Sequence, residues 1–333
     1  MDRPTTRNAI ELLRSALAPL APLFDDAAVT EIMVNAPGEI WVQRDAQLQR
    51  VAIALTDAQL LAAVMVLARL SRRDARPGTR EGMLDARFDG MRVAACLSPT
   101  ATRGHALCIR KHLRRRLSLA ELVAQGSMTE RVARVLRWAV QGRCNLIIAG
   151  ATDSGKTTFM NALLAEIPAS ERLVTIEDTP ELDVAAPNWV GFEAAEHEGI
   201  TMRDLVRLAL RMRPDRILVG EVRGPEAFDL MQVANTGHRG ALATLHANDA
   251  LGALTRLETL VLTSDVRWPF EAIQRQIAET FDLIVFLVRC GTQRVVAEIL
   301  RIDGFDSAQH RYLHTMLYRK ETTDGSQPLS FVD

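Results

Sequence analysis

Residues Gly150-Ala-Thr-Asp-Ser-Gly-Lys-Thr-Thr158 have the spacing G-x-x-x-x-G-K-[ST]. Glycines at the two ends let successive backbone N–H groups converge on phosphate oxygens, and a following helix adds its positive end. In this pattern Lys156 reaches the β- and γ-phosphates of a nucleoside triphosphate, and the Thr157 hydroxyl ligates Mg²⁺. The expected nucleotide-binding residues are therefore Gly150, Ala151, Thr152, Asp153, Ser154, Gly155, Lys156, Thr157 and Thr158. Asp153 is the odd member. A carboxylate beside triphosphate is unfavourable unless it points to solvent or metal, and it is expected to point outward.

Three further clusters turn a phosphate binder into a candidate hydrolase. Arg216-Ile-Leu-Val-Gly-Glu221 is an apolar strand ending in an acid, and Glu221 there can polarise water or hold the Mg²⁺ shell. Val174-Thr-Ile-Glu-Asp178 ends in two acids whose side chains diverge, so one faces the site. Glu177 is expected there as a partner of Mg²⁺ or its water, while Asp178 suits an N-cap before Pro180. Thr236-Gly-His-Arg-Gly240 and Leu242-Ala-Thr-Leu-His-Ala-Asn248 bring His238 and His246 to either side of a strand. A neutral imidazole there can sense a γ-phosphate or orient water.

These residues need a scaffold. Cys144–Ala149 reads as a buried strand before the loop, and Thr158–Ile167 as a helix stopped by Pro168. Asn145–Ala149, Leu173–Ile176, Ile217–Val219, Ala241–Thr244 and Leu283–Val288 alternate with helical segments, which predicts a mostly parallel sheet. The front of the chain differs. Asn8–Leu20 and Thr56–Ser71 have helical spacing, with Thr56 as N-cap. Val29–Val34 and Ile40–Gln43 read as strands joined at Asn35-Ala-Pro-Gly38; Arg87–Leu97 and Ala106–Arg110 are also strand-like, with a tight turn at Asp89-Gly90. The fold class expected is α/β: a small α+β domain over 1–111, a basic linker over 112–124, and an α/β domain over 125–333. The basic run Arg110–Arg116 is either a solvated linker or one that touches nucleotide, a neighbouring subunit or acidic lipid.

Composition excludes several classes. A length of 333 residues suits two domains, and 48% hydrophobic content is enough to give each a core. A net charge of −1 leaves no overall field that would draw the chain to nucleic acid or anionic lipid. Cys96, Cys108, Cys144 and Cys290 are scattered without a C-x-x-C pair, which argues against structural zinc and for a reducing compartment. Met1–Asn8 lacks the apolar core of a signal peptide, and Leu283–Val288 is too short to span a bilayer. A soluble, cytoplasmic protein able to dock on a membrane complex is expected. No internal repeat or low-complexity tract is present.

In order along the chain, the quoted motifs are Gly-x4-Gly-Lys-Thr, Thr-Ile-Glu-Asp-Thr-x-Glu-Leu, Arg-x-Arg-Pro-Asp-Arg-Ile-x-Val-Gly-Glu-Val-Arg-Gly-x-Glu-Ala and Thr-Gly-His-x-Gly-x-x-x-Thr-x-His-Ala-Asn. Together they resemble the secretion ATPase superfamily and, within it, the TrbB-like conjugal-transfer ATPases of type IV secretion. Val29-Thr-Glu-Ile-Met-Val-Asn-x-Pro-Gly-x-Ile-Trp-Val, Arg87-Phe-x-Gly-x-Arg92 and Ile109-Arg-Lys also fit, so the resemblance covers nearly the whole chain. It implies a RecA-like P-loop ATPase domain behind a PAS-like N-terminal domain, and a homo-hexamer with ATP and Mg²⁺ between domains and subunits. It assigns Lys156 and Thr157 to nucleotide and metal, Glu177 to the acidic box, Glu221 to catalysis and His246 to the histidine box. Arg92 and Arg110 match the N-domain arginines that reach the phosphates, with Arg103 as an alternative to Arg92. Ala151 and Asp153 depart from the family, which has Gly at those positions. The four-cysteine zinc insertion of related type II secretion and pilus-assembly ATPases is missing. Glu271-Ala-Ile-Gln-Arg-Gln-Ile-Ala-Glu279 also differs from the matching segment of twitching-retraction ATPases.

The resemblance therefore implies an ATP-driven motor of conjugation or type IV secretion, located peripherally at the inner membrane. Its expected partners are inner-membrane channel proteins and other secretion ATPases. The alternatives are a type II secretion or type IV pilus ATPase, and an ATP-gated scaffold without turnover. A nucleic-acid translocase is disfavoured by the balanced charge and few aromatics.

Overall fold

The computed structural model describes residues 11–320, apart from 46, 72, 89, 90, 112–116 and 236. The chain divides into two compact units, Met1–Arg114 and Arg115–Asp333.

In the first unit, β1 (Val29–Ala36), β2 (Glu39–Arg44), β3 (Gln47–Val51), β4 (Met83–Phe88), β5 (Met91–Cys96) and β6 (Ala106–Lys111) form one sheet in the order β3-β2-β1-β6-β5-β4. Every pairing in it is antiparallel. Strand side chains alternate between faces. Ile32, Val34, Ile40, Val42, Leu107 and Ile109 point to one face, where they pack with Leu60, Ala63, Val64 and Leu67 of helix α1 (Asp57–Leu70). That helix starts as its sequence predicts: Thr56 caps the Gln59 N–H while the Gln59 side chain returns to the Thr56 N–H. The Asp89-Gly90 turn, the start of the helix expected over Asn8–Leu20 and most of the basic run lie outside the described residues.

The second unit is an α/β fold. Its eight-stranded sheet has the order β14-β13-β12-β7-β11-β10-β8-β9. The strands are β7 (Leu146–Gly150), β8 (Leu173–Glu177), β9 (Trp189–Glu193), β10 (Arg216–Val219), β11 (Leu242–Leu245), β12 (Leu283–Cys290), β13 (Gln293–Asp306) and β14 (Arg311–Arg319). From β12 to β9 every pairing is parallel, whereas β13 and β14 add antiparallel strands at one edge. Alternation along β7 feeds two cores. Leu146 and Ile148 meet helices α2 (Leu119–Ala124), α3 (Glu130–Gln141) and α4 (Lys156–Leu164). Ile147 and Ala149 meet α5 (Met202–Ala209), α6 (Glu226–Asn235), α7 (Ala250–Leu262) and α8 (Phe270–Thr280).

Two features depart from the expected layout. Residues 119–124 were assigned to a linker, yet they form α2, capped by Ser118 and Glu121, with Leu119 and Leu122 buried in the core of the second unit. Arg216, which opens β10, is 0% exposed. Its guanidinium donates to both oxygens of Glu171 (2.6 and 3.0 Å) and to the Val140 carbonyl (2.6 Å), so the charge is buried but fully partnered. Gly240, at φ 89°, leaves room for it: a Cβ there would fall 2.9 Å from Arg216 Nη1.

Candidate functional site

The parallel register puts the carboxyl ends of β7, β11, β10 and β8 side by side, where open α/β sheets hold their ligands. Gly150 ends β7 at φ 156°, and a Cβ there would lie 2.5 Å from both the Leu287 carbonyl oxygen and Ser154 Oγ. Gly155, at φ 90°, is the N-cap of α4 and has no side chain to cap it. The first N–H groups of α4 are thus left without a side-chain acceptor, which suits an anion. Ser154 Oγ is buried without a hydrogen-bond partner, a second polar group in the same loop awaiting a ligand.

Lys156 is the first residue of α4 and is 8% exposed. Its Nζ donates to the carbonyls of Gly150 and Ala151, both at 3.0 Å, and lies 3.3 Å from His246 Nδ1. Burial lowers the pKa of this ammonium, and Glu221 partly counters that. His246 follows β11, and its Nε2 lies 2.7 Å from Glu221 Oε1. Burial and the neighbouring Lys156 charge hold the imidazole below its ordinary pKa, so it is neutral near pH 7. Nδ1 accepts from Lys156, which puts the proton of the neutral ring on Nε2, close to Glu221 Oε1 but not aligned with it as a hydrogen bond.

Glu221 lies just beyond β10, past Gly220. Its Oε2 accepts from Arg223 at 2.6 Å, while no donor is aligned on the buried Oε1. Burial pushes this carboxyl up, but Arg223, His246 and Lys156 together bring it below the usual glutamate value. The result is an ionised carboxylate with one oxygen pinned and the other able to accept a proton. Arg223 also reaches Asp178 Oδ2 at 3.4 Å. Its place in the quoted Gly-Glu-Val-Arg-Gly stretch was visible in the sequence, but its contact with Glu221 was not.

Glu177 closes β8 and is 3% exposed. Its Oε1 accepts from the N–H groups of Glu181 (2.7 Å) and Leu182 (2.9 Å), so that oxygen shapes the loop after β8. Gly220 gives it room, since a Cβ there would meet Glu177 Cγ at 2.8 Å. Thr157 is half-buried on the first turn of α4, and Thr158 is exposed.

The structure corrects one expectation. His238 is not brought to this cluster. It precedes β11, and the residues after it, Arg239 and Gly240, bond Asp282 and Asn145 before β12 and β7, at the amino-terminal ends of these strands. A strand separates the two histidines, and its length carries them to opposite ends. Asp153, expected to face outward, is part-exposed and held by two surface arginines, Arg289 and Arg294, a pairing the sequence did not show. In the first unit, Arg92 and Arg110 are cross-strand neighbours on the sheet face away from its core, and Arg92 pairs with Asp85 at 2.6 Å. Arg103 pairs with Glu39.

Among the described residues no cluster of three or more His, Cys, Asp or Glu could hold a metal by itself. The groups present instead fit an ion that arrives with phosphate: the uncapped α4 N-terminus suits the phosphate, and the Thr157 and Ser154 hydroxyls are oxygen donors beside it.

These features define an α/β protein with a polar, anion-ready site at the carboxyl ends of its parallel strands. The chain belongs to the family described as Type II/IV secretion system protein, which it matches over residues 14–325. It is 36% identical over 303 residues to the conjugal transfer protein TrbB of Rhizobium radiobacter, covering 89% of this chain and 90% of that one. It is 35% identical over 322 residues to the type IV secretion system protein VirB11 of Brucella suis biovar 1, covering 85% of this chain and 88% of that one. The crystal structure of the pilus retraction motor PilT with bound ADP aligns with a TM-score of 0.62 and 20% identity, over 86% of this chain and 81% of PilT, which speaks for the fold alone. Among the described residues no helix is long and apolar enough to cross a membrane.

Proposed function

We propose that this chain is a Mg²⁺-dependent ATPase working as a homo-hexameric motor in a type IV secretion or conjugal-transfer machine. The observation that carries this reading is the joining of Lys156, His246 and Glu221 beside a glycine-bounded loop whose buried Ser154 hydroxyl lacks a protein partner and whose following helix has no side-chain cap. The names of the relatives, TrbB and VirB11, support the secretion setting. On this reading the second unit is a RecA-like P-loop domain and the first a PAS-like domain. Docking on inner-membrane channel proteins and other secretion ATPases would place the motor peripherally at the membrane.

Mg²⁺ held by Thr157 would neutralise charge on the β- and γ-phosphates. Lys156 trades its two carbonyl partners for phosphate oxygens, and the α4 amides and Ser154 hydroxyl donate to the same groups. Glu221 Oε1 accepts the proton of the attacking water, while Arg223 keeps the carboxylate ionised and its other oxygen fixed. Neutral His246 lies between the lysine and the base, and so couples phosphate position to that carboxylate. Arg92 and Arg110 are proposed to add guanidinium charge to the phosphates in the assembled motor, an effect worth ~10³–10⁵-fold where such arginines act. Breaking the terminal phosphate bond removes these contacts and releases motion to the channel. The two arginines found on Asp153 offset its charge at the loop, so the carboxylate no longer argues against nucleotide binding.

The test is mass measurement of the pure protein with and without Mg-ATP, paired with phosphate release. A hexamer-sized particle and steady turnover are expected. A monomer that releases no phosphate at any concentration would end the proposal.

A further inference from the structure

The residue after Thr152 takes a left-handed backbone, φ 62° at Asp153. Glycine reaches that conformation without strain and aspartate tolerates it. Here the side chain is put to use. Asp153 Oδ1 accepts from Arg294 Nη2 and Oδ2 from Arg289 Nη1. Arg294 Nε also donates to the Asp153 main-chain carbonyl at 3.1 Å, so a single guanidinium grips both backbone and side chain. The stem of Arg294 lies across the next glycine, where a Cβ on Gly155 would fall 2.8 Å from Arg294 Cδ. Arg289 comes from β12 and also donates to the Gly291 carbonyl at 2.9 Å, which fixes its own direction within the β12–β13 turn. The phosphate loop is thus tied at its midpoint to the β12–β13 hairpin, whose first strand runs parallel beside β7.

Building on the nucleotide reading above, we propose that Asp153, Arg289 and Arg294 form an ionic latch that holds the phosphate loop in its ligand-ready shape. Arg289 and Arg294 are positioning residues of the ATP site. The latch takes over what conformational freedom does for a glycine: it selects one loop geometry, with the cost of ordering met before ATP arrives. Two guanidiniums against one carboxylate also leave a net positive charge beside the phosphates, which the carboxylate alone would not. Loss of the latch should weaken binding and leave the chemical step nearly intact.

Binding of Mg²⁺ with a fluorescent N-methylanthraniloyl ATP, together with KM and kcat, tests this on the full-length chain. Wild type should bind and Lys156→Ala should not. Failure of wild type to bind would overturn the nucleotide reading itself, apart from the latch. Asp153→Asn should weaken binding and raise KM about tenfold, the size of one or two half-exposed charge-assisted pairs, with kcat changed by no more than about twofold. The Arg289→Ala/Arg294→Ala double variant should match it, and the triple variant should be no weaker, because both changes remove one interaction. Raising salt should narrow the gap between wild type and Asp153→Asn. Recovery of wild-type affinity in Asp153→Gly would overturn the latch, as would losses that multiply in the triple variant or fall on kcat rather than KM.

Discussion

Removing the Arg223 guanidinium should move the acid limb of ATP turnover upward. Glu221 is held below its ordinary pKa although burial opposes this, and Arg223 at 2.6 Å is the largest of the groups holding it there. The side chain of Arg223 is 55% exposed, so solvent screens the pair and its worth is about 1 kcal/mol at most. For a carboxylate with a depressed folded pKa, the ionised form dominates above that value and is lost as pH falls through it. Arg223→Ala raises the folded pKa, so the limb of kcat/KM that reports Glu221 should shift to higher pH. At neutral pH the carboxylate stays ionised in both proteins, and any loss there reflects a less well-aimed base. The assay is a phosphate-release pH profile for wild type and Arg223→Ala, with Arg223→Lys as the charge-preserving control. A limb that stays put or moves down in Arg223→Ala would refute the argument that Arg223 sets the ionisation of Glu221.

Three further outcomes are expected. Arg216→Met leaves buried Glu171 facing only the more distant Arg143, a loss of about 3–5 kcal/mol that should lower the thermal midpoint by on the order of 10 °C. A scan within about 2 °C of wild type would contradict it. Gly150→Ala drives a Cβ against the backbone carbonyl of Leu287, so binding of fluorescent ATP should fall by at least about tenfold, as overpacking of about 1–3 kcal/mol implies. Unchanged affinity would show that the loop has room. The Arg92→Ala/Arg110→Ala double variant should bind ATP yet release phosphate up to ~10³-fold more slowly, and turnover near the wild-type rate would remove both from the proposed chemistry.

What was legible in the sequence was what local pattern controls. The loop from Gly150 to Thr158 announces itself through glycine spacing, and β7, β8, β10, β11 and β12 show as apolar runs because both faces of a parallel sheet are buried. Lys156 belongs to the glycine pattern itself, whereas Glu221 and His246 stand just beyond β10 and β11, which is why strand endings pointed to them. The remainder depended on contacts distant in sequence. Asp153 meets arginines 136 and 141 residues further on, and no window around the loop contains them. The strand β9 alternates exposed and half-buried positions at a sheet edge, and so lacks the apolar signature of its neighbours. The antiparallel β13 and β14 carry many charges and were not anticipated. Arg216 reads as a polar strand start, yet Glu171, the Val140 carbonyl and the cleft beside Gly240 make it the largest fully buried side chain. His238 stands apart because residue pattern shows that a strand separates two histidines without showing which end of that strand carries the site.

The central claim is that Lys156 holds the triphosphate while Glu221 acts only on water. Fluorescent Mg-ATP binding and phosphate release, measured side by side on Lys156→Ala and Glu221→Gln, separate the two. The account predicts that Lys156→Ala loses both. Glu221→Gln should keep wild-type affinity and lose ~10²–10⁴-fold in turnover, the contribution of a positioned base. Unchanged phosphate release in either variant would contradict it.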